Sequence, residues 1–239
     1  METITIQYRF LLPDQVAQTF ILKLDAKRIE LVGDILMPVP AWTRLGFHRC
    51  PNCLLNAAEQ QYCPLVLHLV PVVERFAGIL SHETINLEVI TEERFISQQT
   101  SAQRGVSSLL GLVMAASGCP HTAFFKPMAR FHLPLASEEE TIFRATSTFM
   151  LAQFFRRSAG EKVDFALKGL QEVYDNIHQV NIAIAKRLRA GAETDSVINA
   201  VVLLDMCTKY MPFIIKDSLE EIRYLFVPYI KDSKNGEAG

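Results

Sequence analysis

The strongest constraint on the fold is a change of apolar periodicity near residue 100. Before that point hydrophobic side chains recur at every second position. Ile4, Ile6, Tyr8 and Phe10 share one face of residues 3–10, the pattern of a half-buried strand. Residues 19–24 and 28–32 repeat the alternation on either side of Asp25-Ala26-Lys27, and Leu11-Leu12-Pro13-Asp14 reads as a turn. Residues 84–90 and 94–99 read as a hairpin around Thr91-Glu92-Glu93. One helix interrupts this region: Leu65, Leu69, Val72, Val73 and Phe76 keep a 3.6-residue spacing over 65–80, with Pro71 predicting a kink or a later start.

After residue 100 the helical period takes over. Thr100 or Ser101 can cap a helix through Leu109, Leu110, Val113 and Met114 that ends at Gly118. Ser137 with Glu140 forms a capping box, opening a helix that should run to about Arg157, with Gly160 just beyond. A third long helix spans 165–188 and closes on a basic turn, Lys186, Arg187 and Arg189. A fourth spans 195–210, and Pro212 either bends it or separates it from residues 218–227. The expected class is α+β: a small N-terminal antiparallel sheet region followed by a C-terminal bundle of four to five helices. The expected division is a strand-rich region 1–100 with a cysteine knuckle, a bundle 101–230 and a frayed tail 231–239, or one integrated domain.

Charge and hydropathy exclude several partners. With 24 basic against 26 acidic side chains, no global field recruits nucleic acid. The start METITIQYRF lacks the layout of a signal peptide. The longest apolar-rich run, 107–116, falls well short of the roughly 20 residues that span a bilayer. A cytoplasmic protein with no membrane span is expected, its partner a small molecule or a protein. The bundle helices can bury themselves within one chain or across a homodimer.

In a reducing compartment, clustered cysteines point to metal or catalytic chemistry rather than disulfides. The segment RCPNCLLNAAEQQYCP holds Cys50, Cys53 and Cys63, three of five cysteines in the chain. The two-residue spacing of Cys50 and Cys53 lets both sulfurs face one ion from a tight knuckle. Cys63 supplies a third thiol and Cys119, in Gly118-Cys119-Pro120-His121, a fourth; His121 and His68 are alternates, with His48 a further competitor. Zinc suits tetrahedral thiolate ligation in an irregular segment that needs a staple. Proline after Cys50, Cys63 and Cys119 keeps an iron–sulfur cluster in view. A redox dithiol lacks a helix N-terminus at Cys50, and a haem held through a Cys-Pro thiolate is a minor variant. Buried cysteines can also act as small hydrophobes. Cys207 suits that reading, in a stripe with Val202, Leu203, Met206 and Tyr210.

The connection from Ser117 to Glu140 is long for a compact domain and rich in polar groups. Arg104, Lys126, Arg130 and His132 are candidates for an anion or small-molecule site; alternatively Phe124, Phe125, Met128 and Phe131 plug the core while the charges face water. Glu138, Glu139 and Glu140 read as first-turn acids that suit the helix dipole rather than as an acid–base or di-iron set. No GxGxxG, GxxxxGK[ST], HExxH or GxSxG motif occurs.

The segments CPNC…YCP and TSAQRGVSSLLGLVMAASGCPHTAFFKPMARFHLPLASEEET resemble those of a family of uncharacterised bacterial proteins, over most of the chain. The resemblance implies a bacterial cytoplasmic origin and no particular activity. It also implies that Cys50, Cys53, Cys63 and Cys119 belong together. Leu54 departs from the pattern, standing where a proline is expected. The sequence thus predicts a metal-binding module with one structural zinc on four cysteines, the alternative being an iron–sulfur or dithiol redox protein on the same residues.

Overall fold

A computed structural model describes residues 2–12, 17–33, 37–192 and 194–230; the side chains of residues 207, 212–214, 216 and 218 are outside this description. Strands β1 (Thr3–Leu11), β2 (Ala17–Asp25), β3 (Thr84–Ile90) and β4 (Phe95–Ser101) form one antiparallel sheet in the order β2-β1-β3-β4. The alternation places Ile6, Tyr8 and Phe10 of β1 on the buried face, with Ile85, Leu87 and Val89 of β3 and Phe20 and Leu24 of β2 beside them. Helix α1 (Pro64–Arg75) packs on this face through its end, where Phe76 meets Phe10 edge-on at 4.9 Å and stacks on Phe20 at 5.8 Å.

Helix α2 (Ala102–Ala115) follows β4 directly, and the Ser101 hydroxyl accepts from the Arg104 amide at its start. It lies so close to the sheet at Gly105 that a Cβ there would stand 2.9 Å from Ile85 and 3.2 Å from Phe10. A 3-10 helix (Pro120–Phe125) and the short α3 (Lys126–Arg130) come next, so the long connection has structure of its own. Helices α4 (Glu138–Ser158), α5 (Lys168–Gly191) and α6 (Asp195–Glu221) complete the helical part, and a 3-10 segment (Arg223–Tyr229) follows. The expected α+β class, sheet region first and helical part second, is what is found. The main core runs without a break from the sheet through α1 and α2 to Ile184 and Val201; a smaller core lies under α4 around Phe149 and Leu170.

Four local expectations need correction. Residues 28–32 make one isolated bridge, Leu24 to Leu31, because Ile29 takes a left-handed φ of 51° and its amide bonds back to Asp25. Helix α1 starts at Pro64 and runs through Pro71, with Cys63 as its N-cap and Pro64 in the first turn, where a missing N–H costs nothing. Helix α5 starts at Lys168, not 165: the Asp164 carboxylate accepts from the Ala166 and Gly169 amides, and Leu167 is left-handed at φ 61°. Helix α6 continues past Pro212 to Glu221.

The apolar stripe assigned to Cys207 is not uniformly buried, since Met206 and Tyr210 are each more than half exposed; the Cys207 side chain lies outside the described residues. So do the expected turn at Pro13-Asp14 and the tail 231–239. Phe143, Leu151, Phe154 and Phe155 leave an exposed apolar side on α4. Among the described residues no single helix is long and apolar enough to cross a membrane; α2, the most apolar, is largely buried.

Candidate functional site

The irregular segment between β2 and α1 is held by its backbone. The Cys63 amide bonds to Thr43 O at 2.9 Å, and Leu45 N bonds to Gln61 O at 2.9 Å, folding residues 43–63 into a loop. Within it the Cys53 amide donates to Cys50 O at 3.1 Å, the tight turn that the CPNC spacing requires. Arg49 braces the turn from outside, donating to Leu55 O at 2.6 Å and Cys53 O at 3.2 Å. Asn52, at the tip, donates to the Asn176 side chain of α5 at 2.9 Å. His121, two residues past Cys119, bonds through Nε2 to Asn52 O at 2.6 Å. A carbonyl only accepts, so Nε2 carries the proton there. The CPNC turn and the GCPH segment are thereby tied together, although 69 residues separate the bonded pair.

The four cysteines lie within electrostatic reach of one another, since charge on Cys63, Cys53 and Cys119 acts on Cys50. All are free thiols; Cys63 is buried, and Cys50, Cys53 and Cys119 are half-buried against the core. Burial pushes the Cys50 thiol up to about 12, and negative charge on Cys63, Cys53 and Cys119 adds to the rise while Arg187 opposes it. Burial raises Cys63 and Cys119 as well. Each of these two precedes a proline and caps a helix, Cys63 on α1 and Cys119 on the 3-10 helix. The amides of Val66 and Leu65 favour charge on the Cys63 sulfur, and those of His121 and Thr122 do so for Cys119, without making full cap hydrogen bonds. The Cys-Pro pairs at 63 and 119 therefore have a local cause, cap followed by proline. Among the described residues no group of three or more His, Cys, Asp or Glu stands in a metal-holding arrangement.

Arg187 completes the site and overturns an expectation. Read from sequence as part of the basic turn that closes its helix, it is 1% exposed. Its guanidinium donates to Trp42 O at 3.0 Å, Arg44 O at 2.7 Å and Leu45 O at 2.9 Å, while Nε has no acceptor. Among the described residues no carboxylate forms an ion pair with it. Burial pulls its pKa below the ordinary arginine value, and negative charge on Cys63, Cys50 or Cys53 would oppose that shift. The spacing held the clue: Arg187 lies seven residues after Val180 and three after Ile184, on the buried stripe of α5. Gly191, one turn further, lets Trp42 approach, for a Cβ there would stand 2.5 Å from the Trp42 Cβ.

Of the alternates, His121 stands at the CPNC turn through its bond to Asn52 O, whereas His68 and the expected anion-binding residues lie elsewhere. His68 sits half-buried in α1, its pKa lowered by burial. Lys126 is paired with Glu30 at 2.8 Å, and Arg130 lies over the Phe131 ring at 5.3 Å. Of the four, Arg104 and His132 line a cavity of about 420 Å³ between α2 and the helices that follow. Burial holds His132 neutral, its pKa lowered to about 3. Its Nε2 pairs with the Tyr8 hydroxyl, which also meets Ser108 Oγ at 3.0 Å. His132 is thus half-buried and joined to Tyr8 and, through it, to Ser108.

Fold and site together define an α+β protein whose irregular N-terminal segment is fastened to its helices around four thiols and a buried arginine. Residues 6–227 match a family described as a domain of unknown function (DUF6901), and the chain belongs to that family. No curated protein and no solved structure matches it.

Proposed function

We propose that Cys50, Cys53, Cys63 and Cys119 take up one zinc ion, and that the protein is a metal-stapled binding or regulatory module. The observation that carries this reading is Arg187. A guanidinium that is 1% exposed and has no carboxylate partner among the described residues needs compensation for its lost hydration. Four thiolates around a divalent zinc leave a net negative charge on the complex, and a neighbouring guanidinium offsets it. The converse also holds. Burial raises Cys50, Cys63 and Cys119, so their ionisation asks for a cation. The reading requires the four sulfurs to close on the ion by side-chain adjustment. Zinc would then fasten the 43–63 loop to the cap of α1 and to the turn after α2, as expected of a structural site.

The rival dithiol reading gains no support from the site. A reactive thiol needs a lowered pKa, and burial raises three of the four. Elemental analysis of protein purified under reducing conditions tests the proposal. One zinc per chain in a colourless sample is expected. A brown sample with iron and sulfide would replace zinc by a cluster. Protein without metal whose five cysteines all titrate freely would overturn both.

A further inference from the structure

The cavity behind α2 carries an inference independent of the thiols. Its volume of about 420 Å³ falls in the range of small-molecule sites. Leu112, Phe125 and Ile177 form much of the apolar wall, with Met114, Met128 and Met211, whose flexible thioethers adapt to irregular shapes. The wall is preformed. Arg144 ties α4 to the segment opposite by donating to Met128 O at 2.9 Å and Phe131 O at 2.8 Å.

Among the lining residues is Asn181, 1% exposed. The Asn181 amide nitrogen donates to Thr208 Oγ1 at 3.2 Å, and the Thr208 hydroxyl donates to Leu204 O at 2.7 Å. Thr208 thus has no proton to offer back, and Asn181 Oδ1 is left without a donor. A buried acceptor in that state is rare in a native interior. The rim argues against a charged ligand. Arg144 is engaged with backbone carbonyls, Arg104 reaches Leu135 O at 3.4 Å, and Glu138 shares the exposed edge. An anion would also face the Asn181 oxygen, which repels it.

We infer that this cavity binds an uncharged, mainly apolar small molecule carrying one hydroxyl or N–H group, which donates to Asn181 Oδ1. The matched probes are 4-propylphenol and propylbenzene, nearly equal in shape and differing in the donor. Titration of the full chain with methyl-labelled methionines reads the site directly, since Met114, Met128 and Met211 line it. The expected result is saturable shifts at those three methyls, with the phenol bound about tenfold more tightly, the worth of one good buried hydrogen bond. Asn181→Leu should abolish that preference while leaving propylbenzene binding intact. Gly111→Phe is the second variant. Gly111 lines the exposed edge of the cavity, and a Cβ there meets nothing within 4 Å, so the substitution should fold normally and narrow the entrance to both probes. Equal affinity for the two probes in the wild type, as when water already satisfies Asn181, would overturn the inference. So would absence of binding by either probe, or unchanged phenol binding in a folded Gly111→Phe protein.

Discussion

Replacing Arg187 by methionine should destabilise the protein more than any other single change at the α5 end. Methionine keeps most of the apolar stem but removes three donors, at 3.0, 2.7 and 2.9 Å from the Trp42, Arg44 and Leu45 carbonyls. Each acceptor orphaned in a buried site costs about 1–3 kcal/mol. Relief of the buried guanidinium and the retained packing return part of that sum, leaving a net loss of about 3–5 kcal/mol. For a chain of this length such a loss lowers Tm by roughly 6–20 °C. Thermal melts followed by circular dichroism measure it, and the emission of Trp42, the sole tryptophan, reports on the loop the guanidinium holds. Arg187→Lys should fall between wild type and Arg187→Met, because one ammonium cannot span three carbonyls fixed for a planar fork. A Tm change below about 2 °C in Arg187→Met with unaltered Trp42 emission would refute the claim that this side chain organises the 43–63 loop.

Two further predictions follow from close packing and burial. Gly191→Ala, which in an open helix would gain roughly 0.5–1 kcal/mol, should instead cost about 1–3 kcal/mol, because its Cβ would stand 2.5 Å from that of Trp42; a stabilised variant in urea unfolding would contradict the approach. His132 is held neutral in the folded chain down to about pH 3, below its ordinary 6.5, mainly by burial and secondly by the charge of Arg144. The unfolded chain then binds the proton first, so stability is full above pH 6.5 and declines by about 1.4 kcal/mol per pH unit on the way down to about 3. Comparison of wild type with His132→Gln by urea unfolding at several pH values should show a shallower acid decline in the variant, and parallel profiles would exclude His132 as the cause.

What the sequence made legible was local. Ser137 and Glu140 bond each other's backbones as the capping box requires, at 3.1 and 2.7 Å, because the motif contains both partners within one turn. The alternation of β1 and the hairpin of β3 and β4 were readable for the same reason. Residues 28–32 alternate equally well, yet the left-handed Ile29 and the return bond to Asp25 turn them away from the sheet. Arg187 looked like helix-end charge because basic residues flank it; its burial depends on carbonyls about 145 positions earlier in the chain. The cavity and the unpaired Asn181 oxygen arise from packing of α2, α5 and α6, which no local pattern encodes. For the thiols, the spacing of Cys50 and Cys53 announced a turn, but the link to GCPH runs through Asn52 and His121, a pairing that no spacing rule contains.

The most direct test of the zinc-staple reading is to titrate native protein with a thiol-specific mercurial while zinc release is followed with a metallochromic dye. The account predicts one zinc released per chain as four thiols react together, with Cys119→Ser protein releasing far less. Smooth reaction of the thiols with no zinc released would contradict it.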